Sequence, residues 1–404
     1  MSSDEEILPI PNLNLPQSLF VLSNPRLEHL HEKARKELLE GVEADEMGPW
    51  YRNITSIASS SSTSPSSPTP SSSTLAPIPL DQALLERLEK KNEEELKKLD
   101  EKLEEARKTE GETEISEGLK ARANYLTRIG DKQRALEAQK LALEKTPGLG
   151  SRIDIVLTIV RIGFFFGDTA LVTEYMDKAE KLIDEGGDWD RRNRLKVYRA
   201  LYLISIRQFK RAADLFLDAL STFTATEILS FNDFVTMGVV AGVVSLERTE
   251  LKKRILSAPE VNQVIPEVPV LGDLTKNLYD CHYDKFFVAL ATLEQTFLIP
   301  SRILNPHSRY YVREMRILAY SQLLESYRSL TLESLARAFG VSVGFVDSEL
   351  SRFIAYGRIH ARIDKVHGIV ETTRPSTKTA QYEQVVKKGD LLLNEVQRLS
   401  KVLH

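Results

Sequence analysis

SLTLESLARAFGVSVGFVDSELSRFIAYGRIHARIDKVHGIVETT, from Ser329 to Thr373, is the stretch that decides the fold. Thr331 stands where a side-chain oxygen can cap a helix start. Leu332–Phe339 then reads as a short helix, and Gly340 as its end. Val341-Ser342-Val343 is a turn. Gly344 to Ala355 carries Phe345, Val346, Leu350, Phe353 and Ile354 at helical spacing, and Gly357 closes that helix. Beyond it Ile359, Ala361 and Ile363 alternate with Arg358, His360 and Arg362, the period of a half-buried strand. Gly368 to Thr373 supplies its hairpin partner across Asp364-Lys365-Val366-His367. One long helix from Arg309 to Ser329 precedes all of this. Helix, short helix, turn, helix and β-hairpin is the order of a winged helix-turn-helix, which spans 309–375.

Such a module invites a nucleic-acid reading, which needs positive charge on the second helix of the turn. Between Val343 and Tyr356 there is one arginine, Arg352, against Asp347 and Glu349. Phosphate would be repelled there. Arg358, Arg362 and Lys365 leave a modest basic patch on the wing. A sequence-reading DNA protein is therefore the weaker alternative.

Upstream, helix ends and starts recur. Gly130-Asp131, Gly167-Asp168 and the variant Arg207-Gln208 are 37 and 40 residues apart, and Ala135, Ala170 and Ala212 follow them closely. This is the period of a tetratricopeptide-like helical hairpin array over 115–308, whose units cover one another's apolar faces. Segment 78–114 reads as one long charged helix, because Leu85, Leu88, Leu96, Leu99, Leu103 and Ala106 form only a narrow seam. Polar Asn92 interrupts that seam, which favours packing on the following repeats over a free coiled coil. Residues 1–57 carry weaker helical patterns. Segment 58–77 is rich in Ser, Thr and Pro and is expected to be a disordered loop. Its Ser-Pro and Thr-Pro pairs match proline-directed phosphorylation sites, a pattern such composition meets by chance. The apolar run Phe234 to Leu246 is too short for a membrane span and reads as a buried helix.

Two further surfaces stand out. Gly186-Gly187 stops one helix and Asp188 caps the next, where Trp189 lies beside Arg191, Arg192 and Arg194. Asp188/Arg192 and Asp190/Arg194 have the favoured acid-first spacing of four. The pattern fits a well-capped repeat helix, with a partner-docking patch as the second reading. After Pro375, segment 376–404 is a terminal amphipathic helix whose stripe includes Tyr382, Val385, Val386, Leu392, Leu393, Val396 and Leu399. It either joins partner helices or packs back on its own chain.

No phosphate-binding glycine loop, dinucleotide turn or nucleophile elbow occurs. His29-Leu30-His31 is the one close histidine pair and lacks the further ligands a metal needs. Cys281, the single cysteine, reads as a small buried apolar residue. No catalytic, cofactor or metal residue is assigned. A chain of 404 residues with net charge −4, 42% hydrophobic and 28% charged content is ordinary for a soluble multi-unit protein without global attraction to nucleic acid or membrane. A lone cysteine and an acidic start suit the cytoplasm and nucleus.

Helical repeats that run into a winged helix and a final helix resemble the PCI family. Its members are scaffold subunits of the proteasome lid, the COP9 signalosome and a translation initiation complex. Asp188 to Tyr198, Tyr310 to Arg316, Tyr320 to Thr331, Glu349 to Ala355 and Lys388 to Asn394 are similar to the lid members over the chain from about residue 80 onward. The resemblance implies a mostly α fold, a helical-repeat solenoid followed by a winged-helix PCI module and a bundle helix. It implies a non-catalytic hetero-oligomer subunit whose partners are other PCI subunits and the lid's deubiquitinase pair, with the ATPase ring as a further contact of the repeats. The wing edge, including Ile369 and Glu371, is expected to extend a sheet across subunits. A COP9 signalosome subunit remains the alternative within the family.

Overall fold

A computed structural model of the chain describes residues 7–60, 80–109, 111–373 and 377–403. Helices α1 (Asn14–Ser23), α2 (Glu28–Ala44) and α3 (Gly48–Ser60) form where the sequence pattern was weakest. Their strength lies in shared burial: Leu38, Val42, Met47 and Tyr51 are fully covered, in one cluster with Leu85, Leu88 and Phe165. Helix α3 continues through Ser60, so residues 58–60 are helical and not part of a disordered loop. The remainder of that expected loop, with its Ser-Pro pairs, lies outside the described residues.

The long charged helix is α4 (Gln82–Thr109). Its seam is covered: Leu88 is 1% and Leu103 7% exposed. Asn92 is buried too, and its side-chain oxygen accepts the Tyr125 hydroxyl at 2.9 Å. That bond offsets the burial of the side-chain oxygen, while Nδ2 is buried without a hydrogen-bond partner among the described residues. The hairpin array follows as α5 (Glu112–Arg128), α6 (Lys132–Lys145), α7 (Leu149–Phe166), α8 (Thr169–Asp184), α9 (Trp189–Ser205), α10 (Phe209–Asp218) and α11 (Phe231–Ser245). Helix α11 is the apolar run, and its residues Phe234 to Val243 are all buried.

The repeat turns show why their residues recur. Gly130 and Gly167 take left-handed φ values of 77° and 71°. Asp131 and Asp168 then accept the backbone N–H of Arg134 at 3.2 Å and Leu171 at 3.1 Å. A side chain at Gly130 would meet Trp50 Cβ at 2.8 Å, so α3 presses on this turn. At the third turn Arg207 holds φ 66° without glycine, which costs about 1–2 kcal/mol. Ala135 and Ala212 are buried as expected, but Ala170 is exposed. The close approach of α7 and α8 falls instead at Gly163, where an added Cβ would lie 2.7 Å from Val172 Cγ2. Short helices α12 (Arg248–Leu251) and α13 (Pro259–Val264) continue the chain.

The chain divides into two units, Met1–Gly272 with Thr292–Arg309, and Asp273–Ala291 with Tyr310–His404. The second draws on α14 (Pro269–Tyr279), α15 (Tyr283–Leu293) and α16 (Ser308–Ser326), then β1 (Ser329–Thr331), α17 (Leu332–Phe339), α18 (Val343–Ala355), β2 (Ala361–Asp364), β3 (Ile369–Thr372) and α19 (Thr377–Leu403). Thr331 and Ser342 cap α17 and α18, accepting from Ser334 N at 3.2 Å and Phe345 N at 3.3 Å. Gly340 ends α17 at φ 64°. Phe339 is the hub of the core beneath, 4.4 Å from the Tyr320 ring and 4.9 Å from the Tyr283 ring. Cys281 is exposed, not buried, at φ 62° in the turn between α14 and α15.

Candidate interaction surfaces

The wing is a three-stranded antiparallel sheet in the order β1-β3-β2. The hairpin reading missed β1, a three-residue strand that leads straight into α17. Its register on β3 is Ser329↔Glu371, Leu330↔Val370 and Thr331↔Ile369, while β2 pairs Ala361↔Thr372 through Asp364↔Ile369. This corrects the expected free edge. Strand β3, with Ile369 and Glu371, is central and spends its backbone on both sides, so it cannot extend the sheet to a neighbour. Too short a run to show alternation, β1 gave no sequence signal of its own.

The free edges belong to β2 and β1. Thr373 N donates to His360 O at 3.0 Å, so the bonded pairs fall at 360, 362 and 364. Ala361 and Ile363 therefore turn their N–H and C=O groups away from β3. Arg362 is exposed on this strand. Arg358 is not a free wing cation: its guanidinium grips both oxygens of buried Glu314 on α16, Nη1 to Oε1 at 2.9 Å. The wing turn is tied by Asp364, which accepts from Val366 N at 2.9 Å and from the His367 ring at 2.7 Å. That hydrogen bond from His367 holds the Asp364 carboxyl below its ordinary value.

Helix α18 does not repel phosphate in the way its sequence implies. Glu349 is buried with one oxygen 3.2 Å from Arg316, and burial pushes its carboxyl up against the opposing Arg316 charge. Asp347 pairs with Lys365 at 3.1 Å. The outward face is Val343, Phe345, Arg352 and Tyr356, still with one cation for a nucleic acid to use. The acidic argument falls, and an apolar surface takes its place.

At α9, Asp188 caps the helix through Arg191 N at 3.0 Å. Arg191 reaches both oxygens of Asp154, at 2.9 and 2.6 Å, and also Asp188. Asp188 thus pairs with Arg191, not with Arg192 four residues on. Arg194 pairs with Asp190 at 2.7 Å as the spacing predicts, and lies 3.7 Å from buried Glu227. Two of the three arginines are therefore occupied internally. Trp189 and Arg192 remain exposed.

Helix α19 is the opposite of a core helix. Tyr382, Val385, Val386, Leu391, Leu392, Leu393, Val396 and Leu399 are each more than half exposed. Every residue from Gln381 to Lys401 is exposed. Among the described residues no helix is long and apolar enough to cross a membrane. No group of three or more His, Cys, Asp or Glu side chains among them is placed to hold a metal ion. His31 instead meets the Asn24 carbonyl at 3.1 Å.

Three family descriptions fall on these parts in order. Residues 81–254 match "26S proteasome subunit RPN7", 285–374 match "PCI domain", and 381–403 match "26S proteasome regulatory subunit RPN7/PSMD6 C-terminal helix". Over 394 residues the chain is 44% identical to the 26S proteasome non-ATPase regulatory subunit 6 homolog of Arabidopsis thaliana, covering 97% of each. The chain belongs to the RPN7/PSMD6 family of 26S proteasome regulatory subunits. It is also 39% identical to the 26S proteasome regulatory subunit rpn7 of Schizosaccharomyces pombe over 98% of this chain and 96% of that one. With RPN7 of Saccharomyces cerevisiae it shares 37% over 98% and 94%. In the RPN7/PSMD6 frame, the PCI match runs through β3 to residue 374, and the separate helix match lies wholly within α19. The sheet and the bare helix are thus distinct parts of one RPN7/PSMD6 chain.

Proposed function

We propose that this chain is a non-catalytic scaffold subunit of the 26S proteasome regulatory particle lid, supporting lid assembly and so ubiquitin-dependent protein degradation in cytoplasm and nucleus. The observation that carries the reading is α19, whose apolar stripe is left bare by its own chain. A single soluble protein gains nothing from such a stripe, and helices that cover it must come from other subunits. The winged-helix sheet supplies a second contact, through the outer edge of β2 around Ala361 and Ile363 and not through Ile369 and Glu371. Exposed Arg362 lies on that strand, between buried Ala361 and half-buried Ile363. Trp189 and Arg192 form a third, smaller surface. The deubiquitinase pair is reached through the α19 bundle, and the ATPase ring through the repeats. Native mass spectrometry of the tagged chain from cells tests this. Stoichiometric lid subunits are the expected neighbours, and their loss on removing 381–404 is the expected second result. COP9 signalosome subunits in their place, or assembly indifferent to that removal, would refute the reading.

A further inference from the structure

The first unit holds a cavity of about 610 Å³ between the starts of α1, α8 and α11, the ends of α7 and α9, and the returning segment 296–307. That volume is typical of a small-molecule site. Its wall is mainly apolar and includes Phe164, Val172, Leu201, Ile228, Met237 and Phe297. Half-buried Arg302 is set into that wall and held from two sides. Its backbone N–H donates to Gln17 Oε1 at 2.9 Å, and its Nη2 donates to the Phe164 carbonyl at 3.0 Å. Among the described residues no carboxylate pairs with it, and Nε and Nη1 have no hydrogen-bond partner. Burial alone lowers the guanidinium below its ordinary value, because no opposite charge makes up for the lost water.

We propose that this cavity binds a small monocarboxylate with an apolar body, its carboxylate on Arg302 and its body against the apolar wall. A carboxylate can take two of the planar donors at once and supplies the charge that burial leaves uncompensated. The other polar groups narrow the class. His307 is the one further cation-forming side chain in the wall, and its ring nitrogens already meet the Ser205 carbonyl at 2.8 Å and Arg207 Nε at 3.3 Å. A phosphate dianion would therefore find no second cation. Asp233 stands on the α11 side, but it is exposed and accepts the Ser230 hydroxyl at 2.7 Å, so water screens its charge. The Ser205 and Thr296 hydroxyls donate to the carbonyls of Tyr202 and Thr292, which leaves few donors for a sugar-like body.

The test is isothermal titration calorimetry of the full-length chain with octanoate, 4-phenylbutyrate and uncharged 1-octanol as probes. Saturable one-to-one binding of at least one acid is expected, with 1-octanol at least about tenfold weaker. Arg302→Gln removes the charge and keeps a polar side chain. It should weaken the bound acid at least about tenfold and leave 1-octanol within about twofold, the second result showing that the cavity is intact. Thr296→Trp, at an exposed position of the wall, fills the space while leaving Arg302 in place, and should abolish binding of acid and alcohol alike. Binding of neither acid, or acid binding that survives both substitutions, would overturn the proposal. Octanol as tight as octanoate would overturn the anionic class. Release of the bound acid when the chain enters the purified lid would overturn a small-molecule occupant and give the cavity to a segment of a neighbouring subunit.

Discussion

Helices α4 and α19 have almost the same sequence signature and opposite fates. They are 28 and 27 residues long and heavily charged, each with an apolar seam broken once by a residue that does not belong there. In α4 the seam is buried at Leu85, Leu88 and Leu103 and half-buried at Leu96 and Leu99, and the odd residue, Asn92, accepts the Tyr125 hydroxyl on its side-chain oxygen. In α19 the seam is exposed, and no described residue lies within 4 Å of a Cβ at the odd residue, Gly389. A seam records that a helix is covered. It does not record by which chain.

The sharpest way to break that contrast is one charge in each seam. Leu88→Asp buries a carboxylate at a position 1% exposed and is expected to cost at least about 4 kcal/mol, unfolding part of the first unit. Leu392→Asp should leave the denaturant midpoint of the isolated chain within about 0.5 kcal/mol, because the side chain already faces water. Its effect should appear only in assembly. A comparable loss of stability in both variants would mean that α19 packs on its own chain in solution.

A smaller contrast of the same kind lies at α9. Arg191→Ala strands the Asp154 carboxylate, which is 19% exposed and receives two short hydrogen bonds, so a loss of about 1–3 kcal/mol is expected in chemical denaturation. Arg192→Ala should change stability by less than about 0.5 kcal/mol. If Arg192→Ala nevertheless weakens lid incorporation, the uncovered half of the patch is a contact. Equal stability losses would show that both arginines serve the fold.

What could be read in advance follows from range. Caps and helix stops act within one turn, so Asp131, Asp168, Thr331 and Gly340 marked their elements correctly. The 37- and 40-residue steps exposed the array for the same reason. Strand β1 is three residues long and is made a strand only by its pairing with β3, across some forty residues of sequence. Without it β3 looked like an edge, and Ile369 and Glu371 were assigned to a free edge when they lie on the central strand. Glu349 counted as surface charge because sequence spacing does not show that Arg316 comes to meet it. Arg358 was likewise claimed by Glu314 from an earlier helix. Each miss is a long-range partner. The α19 stripe, being set by spacing alone, was legible; that its own chain leaves it exposed was not.

Tyr125 carries the covered side of the comparison at finer resolution. Removing its hydroxyl by Tyr125→Phe leaves the Asn92 oxygen without its donor and should cost about 1 kcal/mol, recovered in part by Asn92→Leu on the same background.

The smallest effect is the pH dependence of the Tyr125 hydroxyl, which also reaches Glu46 Oε2 at 3.3 Å. Burial first, and then the Glu46 charge, push the Tyr125 phenol up to about 12, against the lowering by Arg128. An unfolded tyrosine ionises near about 10. Between those values the folded chain keeps a proton that the unfolded chain releases, so stability falls as pH rises through this window. The contribution is complete below about pH 10 and lost above about pH 12. Lysines titrate there as well, so the informative quantity is the difference in slope between the wild-type chain and Tyr125→Phe, taken from denaturant midpoints. Glu46→Gln removes the second cause and should bring the phenol down, which phenolate absorbance reads directly. Identical slopes with and without the hydroxyl would show that the Asn92 contact opens before the tyrosine ionises, and that this part of the α4 seam is held by its leucines alone.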